Sequence, residues 1–249
     1  MDTAPAIVDA IWKARHITVL TGAGASAESG VPTFRDARTG LWAKFDPEQL
    51  ATPTAFHRDP ELVARWYDGR RVMALQCQPN AGHHALAALQ GWAETMGKGF
   101  NLITQNVDRL HQRANSTNVT EMHGSLIDWR CIGCENSREE VGLAFKEHPP
   151  VCECGCYRRP GVVWFGERLP AGALREAEEA VRRCDLFFSI GTSGVVYPVA
   201  GLIDQAIARG ARTVEINPKP TGYTHRVTWS VTEPSGVALP RFLAQLPSW

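Results

Sequence analysis

Two kinds of residue cluster in this 249-residue chain have types and spacings that could do chemistry: thiols at metal-ligand spacing, and small or polar residues that end short apolar runs. Cys131-x2-Cys134 and Cys152-x-Cys154 form two short pairs separated by a connector of ribbon-like length. Four thiolates suit a closed tetrahedral zinc site, structural because no position is left for water. The second pair is irregular, and Cys156 can stand in for Cys152 or Cys154. Gly22-Ala23-Gly24-Ala25-Ser26 follows the apolar run Ile17–Thr21. Small residues there let a backbone approach phosphate and turn its amides toward it, although a plain tight turn gives the same pattern. Gly30 and Pro32 stop any helix early, and Gly40–Asp46 does not resemble a strand. A nucleotide site is therefore expected, without the hydride-transfer arrangement of a dehydrogenase. His123 closes the run Val119–Met122, where imidazole could serve as a base near neutrality. By residue type alone, a buried structural histidine is the stronger reading of that position. Gln105 and Asn106, by the same standard, could cap a helix.

These residues need a frame. Five apolar stretches read as strands, each ending in a polar or glycine-rich cluster: Ile17–Thr21, Phe100–Thr104, Val119–Met122, Leu186–Ile190 and Thr213–Ile216. Helical patterns over Gly82–Gln90, Ala171–Arg183 and Val199–Arg209 lie between several of them, the last ending at Gly210 as a C-cap should. The alternation predicts an α/β fold, a Rossmann-like parallel sheet covered on both faces, with ligands outside the carboxyl ends of the strands. Residues 35–80, with a helix over Asp59–Leu75, and residues 128–160, with the cysteines, break the alternation. They are expected to form a smaller lobe as a helical insertion and a zinc-binding module. Residues 1–34, 81–127 and 161–249 then make the larger domain.

Composition narrows the function classes. Lysine plus arginine equals aspartate plus glutamate at 26 each, so no global field favours nucleic acid or an anionic membrane. No apolar run approaches the roughly 20 residues of a membrane span. Met1–Arg15 reads as an amphipathic helix and not as a signal peptide. Seven cysteines are an odd number, unsuited to a complete disulfide framework, and point to a reducing, cytoplasmic setting.

Thr21–Asp36 (T-G-A-G-A-S-A-E-S-G-V-P-T-F-R-D), Thr104–His111 (T-Q-N-V-D-R-L-H), His123–Ser125 (H-G-S), the paired cysteines, Val162–Glu167 (V-V-W-F-G-E), Gly191–Ser193 (G-T-S) and Ile216–Pro218 (I-N-P) together resemble the sirtuin signature set, in its usual order and over nearly the whole chain. Sirtuins are NAD-dependent protein lysine deacylases with a Rossmann-type domain and a zinc-bearing small domain. The resemblance implies NAD as a consumed co-substrate, a single structural Zn2+ held by Cys131, Cys134, Cys152 and Cys154, and acylated lysine in proteins or peptides as partner. It implies that Gly22, Ala23, Gly24, Ala25, Thr33, Phe34 and Arg35 line the cofactor loop, with Phe34 shielding the reacting ribose. Gln105, Asn106, Val107 and Asp108 would hold the ribose and nicotinamide end. Gly191, Thr192, Ser193, Asn217, Pro218 and Lys219 would hold the adenosine end. The acyl-amide oxygen would join C1′ of the nicotinamide ribose in a step governed by positioning, with Asn106 in the catalytic set. His123 would take a proton from a ribose hydroxyl, and the products would be free lysine, nicotinamide and O-acyl-ADP-ribose.

The same resemblance extends to the substrate. Val163, Trp164, Phe165 and Gly166 would pair with substrate backbone by strand addition, facing a wall that includes Val195. Tyr67 and Arg70 stand at i and i+3 on one helical face. They look like the Tyr-x-x-Arg pair of the sirtuin subgroup that accepts malonyl, succinyl and glutaryl lysine, and Ala51 matches the small residue that opens its acyl pocket. Acetyl-lysine stays within reach of such an enzyme. The competing reading is a surface arginine beside Arg71 with Tyr67 simply packing. The other histidines (His57, His83, His84, His111, His148 and His225) take surface, loop or packing roles. Two further functions remain open: mono-ADP-ribosyl transfer, and a zinc-ribbon module that binds nucleic acid, which the balanced charge opposes. A monomer is expected.

Overall fold

A computed structural model describes residues 3–32 and 50–247. Thr33, Phe34, Arg35 and the stretch Gly40–Asp46 lie outside the described residues. The run of β-branched and aliphatic residues in β1 (His16–Thr21) is buried at its last five positions, as a strand covered on both faces requires. It pairs in parallel with β2 (Gly99–Thr104) on one side and with β7 (Leu186–Ile190) on the other. β3 (Val119–Glu121) continues beyond β2, while β8 (Arg212–Ile216) and β9 (Trp229–Val231) continue beyond β7, all in parallel. The order is β3-β2-β1-β7-β8-β9, so chain direction across the sheet reverses between β1 and β7.

Strand alternation divides the core in two. Val19, Leu102, Phe188 and Val214 face α1 (Ala4–Lys13), α5 (Ala81–Thr95) and α9 (Ser235–Leu243), which contribute Ile7, Ile11, Leu86, Leu89, Leu239 and Phe242. Leu20, Ile103 and Phe187 face α7 (Ala171–Arg183) and α8 (Gly201–Ala208), through Ala177, Val181, Leu202 and Ile203. The five expected strands are present, and all five of their polar clusters sit at one edge of the sheet. β9 was not anticipated, because three residues with Ser230 in the middle give no readable alternation.

The remaining described residues build a smaller body. α3 (Pro53–Arg58) and α4 (Pro60–Gln76) start at Thr52 and Asp59, whose side-chain oxygens accept from the Ala55 and Leu62 amides at 3.1 and 3.0 Å. Each has proline in its first turn, where the missing N–H costs nothing. They pack on an antiparallel sheet ordered β5 (Ser137–Glu139), β4 (Gly124–Cys131), β6 (Arg158–Val162). Phe56, Val63, Trp66 and Tyr67 share one core with Leu126, Trp129, Val162 and Trp164. The expected lobe boundaries at 127/128 and 160/161 fall inside β4 and β6, two strands that lie throughout in this smaller sheet.

Charged side chains tie the pieces together. Arg71 is fully buried, and all five of its N–H groups are used. Nε and Nη2 donate to Asp68 Oδ1 at 2.9 and 2.7 Å, Nη1 to the carbonyls of Glu140 and Gly142, and Nη2 also to that of Leu143. Asp68 Oδ2 accepts from the Phe145 amide at 2.8 Å and pairs with His148 Nε2 at 2.9 Å. His148, expected to be a plain loop residue, therefore helps pin the strap 140–148 to α4. Arg109, in the left-handed region at φ 62°, reaches Glu121 on β3, Asp128 on β4 and Glu139 on β5 at 2.8, 2.7 and 3.0 Å. One side chain thus joins the two sheets.

Replacing Arg71 by methionine strands Asp68 and three carbonyls in a dry environment, which should cost about 3–5 kcal/mol of stability. Urea unfolding of R71M followed by tryptophan fluorescence measures it, and a loss under about 1 kcal/mol would show that the strap is held by other contacts.

Candidate active site

The reversal of chain direction between β1 and β7 opens a crevice at the carboxyl edge, the place where open α/β sheets hold ligands. The two loops that flank it touch through backbone. Gly22 N donates to Ile190 O at 2.9 Å, and Gly24 N donates to Gly191 O at 2.8 Å. A β-carbon on Gly24 would lie 2.7 Å from Gly191 Cα, and one on Gly191 would overlap the Ala25 nitrogen. Gly191 also has φ +60°, so both space and conformation demand glycine there. Beyond Gly24 the chain makes only a four-residue helix, α2 (Gly24–Ala27), and Gly30 at φ +83° ends the segment.

Neighbouring strand ends add polar side chains. Gln105 Nε2 donates to Thr192 Oγ1 at 3.0 Å, bridging the loops after β2 and β7. Asn217 Nδ2, after β8, donates to Thr192 O at 3.2 Å. Asn106 and Asp108 are buried; Asn106 caps no helix, whereas Asp108 Oδ1 accepts from the amide of Leu110, the first residue of α6 (Leu110–Arg113), at 2.9 Å. Asn106 Nδ2 donates to Ser26 Oγ at 3.0 Å. Burial raises the Asp108 carboxyl above its ordinary range, against hydrogen bonds from the Leu110 amide and Ser26. Val107 is half-buried, its carbonyl accepting from Leu126 N at 2.8 Å. Ala23, Pro218 and Lys219 are exposed at the mouth, and Ser193 is half-buried.

His123 lies one residue beyond Met122, whose amide donates to Thr104 O at 2.9 Å. Its Nδ1 is 3.1 Å from the Gln105 carbonyl. A carbonyl only accepts, so Nδ1 carries the proton and Nε2 presents a lone pair. Burial lowers the imidazole pKa, with the Gln105 carbonyl opposing it. The ring is a neutral base whose tautomer is set by the backbone of a residue that also bridges the crevice.

From His123 the chain leads to the residues expected to meet the substrate. Val163 N donates to His123 O, and Phe165 N donates to Ala51 O, both at 2.9 Å. Only Val162 of the expected extended run belongs to a strand; Val163 and Trp164 continue as irregular backbone into a turn at Phe165 and Gly166. Phe165 and Val195 expose large apolar surface. Ala51, Tyr67 and Trp164 are buried together. The Arg70 guanidinium stacks 5.0 Å from the Trp66 ring centre and 5.6 Å from that of Tyr67. Arg71, by contrast, points into the strap, so the two adjacent arginines have separate tasks. Burial pushes the Tyr67 phenol up to about 12, with the Arg70 charge opposing, so the hydroxyl keeps its proton. Burial also lowers the Arg70 pKa, against Tyr67 and Asp108. The last of these places Asp108 within electrostatic range of Arg70.

The four sulfurs of Cys131, Cys134, Cys152 and Cys154 lie within 4.8 Å of one another. Separations of 3.4 Å (Cys131–Cys154) and 3.7 Å (Cys134–Cys152) suit a tetrahedron about 2.3 Å in radius, whose corners are about 3.8 Å apart. The Gly133 amide and Arg158 Nη2 donate to the Cys131 and Cys152 sulfurs, at 3.3 and 3.4 Å, as thiolate acceptors require. The cluster fits a structural zinc.

Sequence reasoning passed over His83, Ser26 and Asn80. Asn80 caps α5 and accepts from the Gly82 and His83 amides, while His83 Nδ1 accepts from Asn80 N at 3.2 Å. This is a capping box with histidine in the place usually taken by Glu or Gln, and the spacing Asn80-x-x-His83 was its only signal.

A model of the Sir2 family matches residues 22–198. An NAD-dependent protein deacylase of Ralstonia nicotianae is 50% identical over 236 residues, 94% of this chain and 93% of that protein. A Sir2 homologue solved with NAD superposes with a TM-score of 0.90 at 43% identity, covering 98% of this chain and 93% of that one. A mutant Sir2 protein solved with a deacetylated p53 peptide and 3′-O-acetyl-ADP-ribose gives a TM-score of 0.85 at 31% identity, with 98% of each chain covered.

Stripping the metal with a strong chelator should release a single zinc ion and raise amide hydrogen exchange in β4 and β6, while β1 and β2 stay protected. Unchanged exchange in the small sheet after complete metal loss would deny the four thiols a structural role.

Proposed function

The chain belongs to the Sir2 family, and from that membership we propose how its side chains divide the work of deacylation. It is an NAD-dependent protein deacylase. NAD, when bound, supplies an electrophilic ribose carbon and carries the acyl group away. The small residues of Gly22–Ala25 leave room for its phosphates, Gln105, Asn106, Val107 and Asp108 hold its ribose and nicotinamide end, and Gly191–Ser193 with Asn217, Pro218 and Lys219 its adenosine end. His123 accepts a ribose hydroxyl proton at Nε2. The observation that carries this reading is the Gln105 contact pair: its carbonyl fixes the base at 3.1 Å while its amide spans to Thr192 at 3.0 Å. Base and cofactor crevice therefore share one rigid residue, which serves a reaction dependent on positioning.

Acylated lysine enters in an extended protein segment, between Val163–Gly166 and Val195, as backbone pairing favours. The acyl group is acidic, of the succinyl or malonyl type, with acetyl also accepted. Two features support this: a phenol that stays protonated beside a guanidinium, and a small residue, Ala51, buried in the same cluster as that phenol. Both groups donate hydrogen bonds, which a terminal carboxylate can receive. No helix among the described residues is long and apolar enough to cross a membrane. We place the protein in a reducing cytoplasm, where clustered thiols ligate metal, and propose that it is a monomer.

Two measurements test these assignments. Arg70→Met should lower kcat/KM on succinyl-lysine peptide about 100-fold and on acetyl-lysine peptide less than about threefold, since loss of one partner of a desolvated charge pair costs about 2–5 kcal/mol; equal losses would remove the acidic-acyl pocket. For His123, the depressed imidazole pKa keeps the base neutral below its ordinary value of about 6.5. The acid limb of kcat/KM should therefore fall below that pH, with activity flat from neutrality down to it. A limb at pH 7 or above would point to another base.

A further inference from the structure

We infer that His83 is a positioning residue for deacylation: it holds the Ser26 hydroxyl, and through it the Asn106 amide and the Asp108 carboxylate, at the nicotinamide end of the crevice. The inference rests on the roles proposed above for Asn106 and Asp108.

His83 is 1% exposed, on the first turn of α5 and behind the glycine loop. The proton inventory around it has a single solution. The Asn80 amide donates to Nδ1 at 3.2 Å, so Nδ1 holds the lone pair. A neutral imidazole has one N–H, which must then be on Nε2, and Nε2 faces Ser26 Oγ at 3.4 Å. Asn106 Nδ2 donates to the same oxygen at 3.0 Å. Both lone pairs of Ser26 are then occupied, and its proton is left for Asp108, whose carboxyl the Ser26 hydroxyl lowers against burial. Flipping the Asn106 amide would set its carbonyl against an oxygen with no free proton, so the amide has one stable orientation.

A second line of contacts fixes the backbone of Asn106. Its N–H donates to Thr104 Oγ1 at 3.0 Å, which also accepts from Thr21 Oγ1 at 2.8 Å. Thr21 has then given its proton away and accepts from His111 Nε2 at 2.9 Å. The two imidazoles lie 4.8 Å apart, and burial drops His83 to about 4 and His111 to about 3, with His84 opposing charge on His83 and His83 opposing charge on His111. Both stay neutral at working pH, as the pattern needs. Asn80 closes the arrangement: its Nδ2 donates to Ala25 O at 2.9 Å and Ser29 Oγ at 3.1 Å, clamping the start of α5 onto the cofactor loop.

The test is steady-state turnover on an acetyl-lysine peptide and NAD, both saturating, with melting temperatures measured alongside. His83→Phe keeps a ring of similar size but cannot donate; kcat should fall about 10- to 100-fold, the scale of a misplaced reacting group, with peptide KM within about threefold. His83→Gln, whose amide can reach Ser26, should recover most of that rate, and His83→Asn, too short to reach, should not. Gln against Asn keeps the comparison decisive even where Phe fails to fold. Combining His83→Phe with Ser26→Ala should be no slower than Ser26→Ala alone, because the two act in series. Undiminished kcat in folded His83→Phe, equal rates for Gln and Asn, or multiplied losses in the double variant would each overturn the role. Wild-type turnover on the same peptide tests the parent activity separately: no NAD-dependent acyl loss there would strike the deacylase roles, whereas normal wild-type turnover with unimpaired His83 variants strikes this inference alone.

Discussion

The site depends on one steric fact, the contact of backbone against backbone between the loop after β1 and the loop after β7. Gly24 and Gly191 meet with no room for a β-carbon on either. That approach narrows the crevice and aligns the Gly22 and Gly24 amides with carbonyls of the adjacent loop. It also brings Thr192 near enough for Gln105 and Asn217 to reach from opposite sides. Bulkier residues would wedge the strand ends apart and part the groups that must act together. Everything polar at this edge is arranged around a place where side chains are missing.

Much of this was legible in the sequence because the large sheet follows simple rules. Apolar runs such as Leu186–Ile190 stop abruptly at Gly191-Thr192-Ser193, and a parallel sheet places every such stop on one edge. The smaller sheet was less readable. β6 contains Arg158, Arg159 and Pro160, hardly a strand by composition, yet all three are buried. Arg159 is held by Glu167 at 2.6 and 2.9 Å and lies over the Trp164 ring, while Arg158 serves a sulfur and two carbonyls. Where charge, thiolate and carbonyl replace aliphatic packing, alternation carries no signal.

His83 shows the same limit within the site. A histidine on a helix beside His84 gives no hint of burial, and its meaning comes from Ser26 and Asn106, 57 and 23 residues away in the chain. His123 differs: it follows the end of a strand, where the fold gathers polar groups, yet residue type alone favoured a structural histidine and the expected role as base came from the family resemblance. Tyr67 and Arg70 fell between these cases. Helical spacing placed them on one face, but only the full use of Arg71 by the strap separates the structural arginine from its neighbour.

That division of labour within one helical turn has an evolutionary corollary. Asp68 and Arg71 fasten α4 to the strap 140–148, which leads into the thiol cluster, while Tyr67 and Arg70 occupy the adjoining positions of the same turn. A lineage that lengthens or shortens the strap would rotate or shift that turn, and with it the two side chains proposed to receive the acyl group. On that proposal, chemical preference is heritable at a distance: drift in an outlying segment can shift Tyr67 and Arg70 while both residues stay as they were.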